Sequence, residues 1–66
     1  MTDHAARRTA AVAELPTVYA LALRLRDEGE PADRIAKLLG VEAEAVAPLL
    51  EVASAKLEEI LARKSR

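Results

Sequence analysis

From Val46 to Leu61 the apolar residues Val46, Leu50, Ala53, Leu57, Ile60 and Leu61 recur at spacings of three and four, with small and charged residues between them. That period puts one continuous apolar stripe on a single helix face about 20 residues long. Such a helix rises about 30 Å, the scale of a whole small domain. In a chain of 66 residues everything upstream must pack against it. No stretch alternates with period two, β-branched residues are sparse, and Ala, Leu, Glu, Arg and Lys dominate. Every strong local signal is therefore helical.

Prolines and glycines divide the remainder. Thr2 or Asp3 is able to cap a first helix that runs to about Glu14. Pro16 suits the first turn of a second helix, where a missing N–H costs nothing, and Gly29 ends it. Val18, Leu21 and Leu25, with Tyr19 and Ala22, form its expected inner face. Pro31 opens a short third helix, with Asp33 near the positive end of its dipole. Ile35, Leu38 and Leu39 are its expected buried stripe, and Gly40 supplies the left-handed residue that stops it. Val41 plugs the turn. The fold expected is all-α: one compact four-helix domain over 1–66, containing a helix-turn-helix, with helices at about 3–14, 16–28, 31–39 and 43–62 and a frayed basic tail at 63–66.

Fifteen of the residues are alanine and Tyr19 is the sole aromatic, so there is little area to bury at ~25 cal/mol per Å². A domain this small buries only about 60% of its unfolded surface. Either the helices approach very closely or a partner covers part of the surface. The net charge of −1 is opposite to that of a dedicated nucleic-acid binder. No cysteine, no long apolar run and no leader-like start are present, which points to the cytoplasm and away from a membrane. There is no glycine-rich phosphate loop and no nucleophile with a plausible base. His4 stands without a second His or a Cys, so no enzyme activity, metal, cofactor or small-molecule substrate is expected. Arg24 with Glu28, Asp33 with Lys37 and Glu59 with Arg63 are spaced four apart, worth only ~0.2–0.5 kcal/mol each.

The order Leu15-Pro16, Tyr19, Leu23 to Asp27, Gly29, Ile35-Ala36, Leu39-Gly40-Val41, Val46, Leu50, Ala53 and Leu57 resembles region 4 of bacterial sigma factors, especially the extracytoplasmic-function type. The resemblance covers Leu15 to Leu61. It implies that the third and fourth helices form a helix-turn-helix, with the fourth in the major groove of promoter DNA. In that family the residues after the valine matching Val46 are typically Lys, Ser and Arg, with further cations one and two turns on. Here the DNA-facing positions are Ala47, Pro48, Glu51, Ser54 and Ala55, with Leu49 and Val52 also in the set, and no Lys or Arg occurs between Val41 and Ala55. Only Lys56 keeps a positive charge.

Phosphate neutralisation and long donors at the groove edge carry DNA affinity and base readout; Ala47 and Ala55 are too short for either. Ala45, Pro48, Leu49 and Val52 are instead the expected protein interface, an apolar patch suited to a second copy or to a partner in the transcription machinery. The alternative is a dimeric DNA-binding regulator that clamps phosphates with Arg7, Arg8, Arg34, Lys37 and Lys56. Pro48, about six residues into the helix, is expected either to kink it or to mark a later start.

Overall fold

The computed structural model describes residues 2–64, with side chains described over 6–63. Four helices follow in order: α1 Thr2–Ala13, α2 Thr17–Asp27, α3 Ala32–Leu39 and α4 Ala43–Lys64. The described residues contain no strand. The expected all-α, four-helix architecture is therefore the one found. The molecule measures 37 × 19 × 15 Å, and its long axis is close to the ~33 Å that the 22 residues of α4 span.

Both prolines sit one residue earlier in their helices than expected. Pro16 has ψ 147° and Pro31 ψ 160°, so each is the extended residue before the helix and not its first turn. Each carbonyl then accepts two of the first N–H groups at 3.0 Å: Tyr19 and Ala20 on Pro16, Arg34 and Ile35 on Pro31. The helix ends follow the glycines. Gly29 (φ 85°) and Gly40 (φ 73°) are both left-handed. Behind them the Glu30 N–H reaches the Leu25 carbonyl at 3.1 Å and the Val41 N–H reaches that of Ala36 at 3.0 Å, the six-to-one bonds of a Schellman stop. α4 runs unbroken through Pro48 to Lys64, so a later start is excluded. α4 extends to Lys64, so Arg63 and Lys64 of the expected basic tail belong to it. Ser65 and Arg66, and the side chains of Thr2, Asp3 and His4, lie outside the described residues.

Two apolar clusters divide α4 lengthwise. Ala11 and Leu15 from the α1 end, Leu23 from α2, and Ala53, Leu57 and Ile60 from α4 form the first. Leu25 from α2, Ile35 and Ala36 from α3, and Val46 from α4 form the second. Leu50 packs against both. α2 thus serves two cores at once, through Leu23 and Leu25, which lie about 200° apart around the helix. This corrects the one-sided face expected from Val18 and Leu21. Leu23 is buried, Leu21 is half-buried, and Val18 is 38% exposed at the open start of the helix. Leu38 is likewise 52% exposed. The short α3 turns Ile35 and Ala36 inward, so its stripe is centred between them and Leu38 falls outside it.

Ala11, Ala22 and Ala53, on three different helices, have no exposure at all. Side chains this small let helix backbones approach one another where they meet. Leu23→Ala should cost ~2–5 kcal/mol, a large share of the ~3–10 kcal/mol a domain of this size holds, and move the midpoint of a urea titration down accordingly. Gly40→Ala meets no atom within 4 Å of its new Cβ, so only the left-handed backbone opposes it. The same titrations should show a loss of ~1–2 kcal/mol.

Candidate interaction surface on the fourth helix

With about 100° between successive residues, α4 divides into four strips. Val46, Ala53, Leu57 and Ile60 face the core. On one flank stand Ala47, Glu51, Ser54 and Glu58. On the other stand Leu49, Lys56 and Arg63. Opposite the core lie Pro48, Val52, Ala55, Glu59 and Ala62, all exposed. The DNA-facing positions named by the family resemblance fall on the first flank and the outer strip. Ala47, Pro48, Glu51 and Ala55 are exposed, and Ser54 is half-buried.

α2 brings one cation to that first flank. Arg26 lines a shallow surface groove with Ala47, Leu50, Glu51, Ser54, Ala55 and Glu58, and its Nη1 donates to Ser54 Oγ at 3.2 Å. Arg8 reaches the same flank from α1, lining a second groove with Arg26, Ser54, Leu57, Glu58 and Leu61. The sequence held no signal for the Arg26 contact, since Arg26 and Ser54 are 28 residues apart and match no helical spacing. Arg26 is also engaged with Asp27, at 3.4 Å.

The interface candidates are partly accessible. Pro48 and Val52 are exposed, Val52 by 42%, while Ala45 and Leu49 are half-buried. Ala45, Pro48 and Val52 share one outward sector of α4, and Leu49 lies between that sector and the core.

The five expected phosphate contacts are not gathered on one face. Arg7 is exposed on α1, but its neighbour Arg8 donates to Asp27 at 2.8 Å. Arg34 lies 4.0 Å from Glu30. Lys37 and Lys56 are exposed. α1 packs beside the Ala53–Ile60 half of α4 and α3 beside Val46, so the two cationic helices sit at different ends of the spine. Among the four-apart pairs, Arg24 and Glu28 meet at 3.5 Å. Arg63 instead approaches Glu14, at 3.7 Å, where α1 ends beside α4.

Arg8, Asp27, Arg26 and Ser54 together tie α1, α2 and α4. The hydrogen bond from Arg8 holds the Asp27 carboxyl below the ordinary carboxylate range; partial burial pushes the other way, and the charges of Arg8 and Arg26 add to the lowering. A depressed carboxylate contributes stability that is present above its unfolded value and is lost as the pH falls through its folded value. The side chain is 50% exposed, so solvent screening keeps the pair within ~0.2–1 kcal/mol. An NMR titration of Asp27 should give a midpoint below that of an unpaired aspartate, and Arg8→Ala should raise it towards the ordinary range. An unmoved midpoint would show that Arg8 does not hold the carboxyl.

Among the described residues no group of His, Asp or Glu is placed to hold a metal ion, and no helix is long and apolar enough to cross a membrane. Comparison of the chain with protein-family models, curated proteins and solved structures finds no match.

Proposed function

We propose that this chain is a sigma-region-4-like helix-turn-helix module, associated with transcription, that acts mainly through protein contacts and reads DNA bases weakly or not at all. One observation carries the reading. On the flank of α4 where that resemblance expects donors to DNA stand Glu51 and Glu58, and the guanidiniums that reach it from α1 and α2 are already held, Arg8 by Asp27 and Arg26 by Ser54 and Asp27. Each carboxylate repels phosphate, and no side chain of α4 before Lys56 carries a positive charge. Base readout requires long donors at the groove edge, and Ala47 and Ala55 have none. The outer strip of α4 offers Pro48, Val52 and Ala55 to a protein surface instead.

The competing reading, a DNA-binding regulator with peripheral phosphate clamps, loses support from the hydrogen-bonded pairing of Arg8 with Asp27. Fluorescence anisotropy with duplex DNA at low salt separates the two. The expected affinity is weaker than the ~10⁻⁴ M edge of ordinary non-specific binding. Replacing three residues together, Ala47→Lys, Pro48→Ser and Glu51→Arg, should improve it at least about tenfold, as ~1–3 kcal/mol per good contact implies. Micromolar binding by the unaltered chain, with a steep salt dependence, would overturn the proposal.

A further inference from the structure

The outward strip of α4 carries a second periodic pattern, distinct from its core stripe. Ala45, Pro48, Val52, Ala55, Glu59 and Ala62 follow at steps of three, four, three, four and three. This is the alternation that keeps one seam facing a partner helix in a coiled coil. All are exposed except the half-buried Ala45, and the helices α1 to α3 cover the opposite face. The pattern is flanked on both sides at seven-residue intervals. Glu44, Glu51 and Glu58 line one edge of the seam; Leu49, Lys56 and Arg63 line the other.

Those edges decide the occupant. When two such helices lie parallel and in register, a residue on the first edge meets the residue five positions later on the second edge of the other helix. Glu51 then meets Lys56 of the second copy, Glu58 meets its Arg63, and Glu44 meets its Leu49; two-fold symmetry repeats each contact. In an antiparallel pair like edges meet, Glu against Glu and Lys against Arg or Lys, which is repulsive. Resting on the protein-contact reading above, we infer that the partner of this face is a second copy of the chain, docked parallel and in register along the outer strip of α4.

The same geometry sets the strength. The seam extends over about 27 Å, and its side chains are small apart from Val52 and Glu59. It buries less than the ~800 Å² per partner of a standard stable interface and belongs to the weak, transient class. Glu59 faces its own copy across the seam, and like charges there weaken the last turn. Arg63 is 69% exposed beside Glu14 and is free to turn from it to Glu58 of the second copy. The association constant therefore depends on concentration and salt, and exposed ion pairs determine its orientation more than its strength.

Sedimentation of the full chain from about 10 µM to about 1 mM tests this. A monomer–dimer equilibrium with a dissociation constant inside that window is expected. Lys56→Glu should weaken it at least about tenfold, and adding Glu51→Lys should restore it, because reversing both members of the pair recreates the attraction. Glu59→Leu should tighten it. Each position is exposed, and circular dichroism verifies that each variant remains helical.

Orientation is read by oxidation. The chain has no cysteine, so Ala62→Cys forms a disulfide dimer only in the parallel arrangement, where the two helix ends coincide. Val52→Cys, near the middle, cross-links in either arrangement and serves as the positive control. A strict monomer at 1 mM, a dimer indifferent to Lys56→Glu, or cross-linking at 52 without cross-linking at 62 overturns the inference. A monomer that also fails to bind DNA leaves the protein-contact reading standing with a different partner. Micromolar DNA binding removes that reading whatever the oligomeric state.

Discussion

The burial of one face of α4 is the interaction on which the rest of the molecule depends. Val46 at one end and Ala53, Leu57 and Ile60 at the other supply α4's share of both apolar clusters, and Leu50 joins them. α1, α2 and α3 each find their buried partners on this helix. Ala11, Ala22 and Ala53 are fully enclosed among the larger buried side chains, Leu23, Ile35 and Val46 foremost. Such packing tolerates little change of volume. It also commits three of the four helices to one side of the spine and leaves the other side bare.

That division explains why one helix carries two chemistries. The inner stripe is selected by packing and is blind to partners. The outer strip contributes little to the core, so packing does not fix its residues. A face intended for DNA would place cations there and accept their mutual repulsion. Here the outer strip is small and apolar apart from Glu59, with Glu44, Glu51 and Glu58 on one edge and Leu49, Lys56 and Arg63 on the other. The guanidiniums brought to the first flank from other helices are engaged there, Arg26 with Ser54 and Asp27 and Arg8 with Asp27. That arrangement of charges is what the proposed pairing with a second copy rests on.

Local signals made most of the fold legible. Pro16, Gly29, Pro31 and Gly40 act within a turn of themselves, through a fixed φ or a left-handed backbone, and the helix limits they imply agree with the structure within one residue. Burial was less legible where a helix serves two neighbours. Periodicity describes a single stripe, whereas α2 presents Leu23 to one cluster and Leu25 to the other, and α3 leaves Leu38 in solvent. The ties of Arg8 to Asp27 and Arg26 to Ser54 span 19 and 28 residues. No spacing rule reaches that far, because such pairs exist only once the helices have packed. The bare face of α4, by contrast, was visible from residue types alone.

Amide NMR shifts followed as the chain is concentrated test the central claim most directly, since they report which side of α4 meets a partner. Changes are expected only at Ala45, Val52, Ala55, Glu59 and Ala62 and their edges, with Ala47 and Ser54 still. Shifts that instead centre on Ala47, Ser54 and Arg26 when duplex DNA is added, with the outer strip unmoved on concentration, would contradict it.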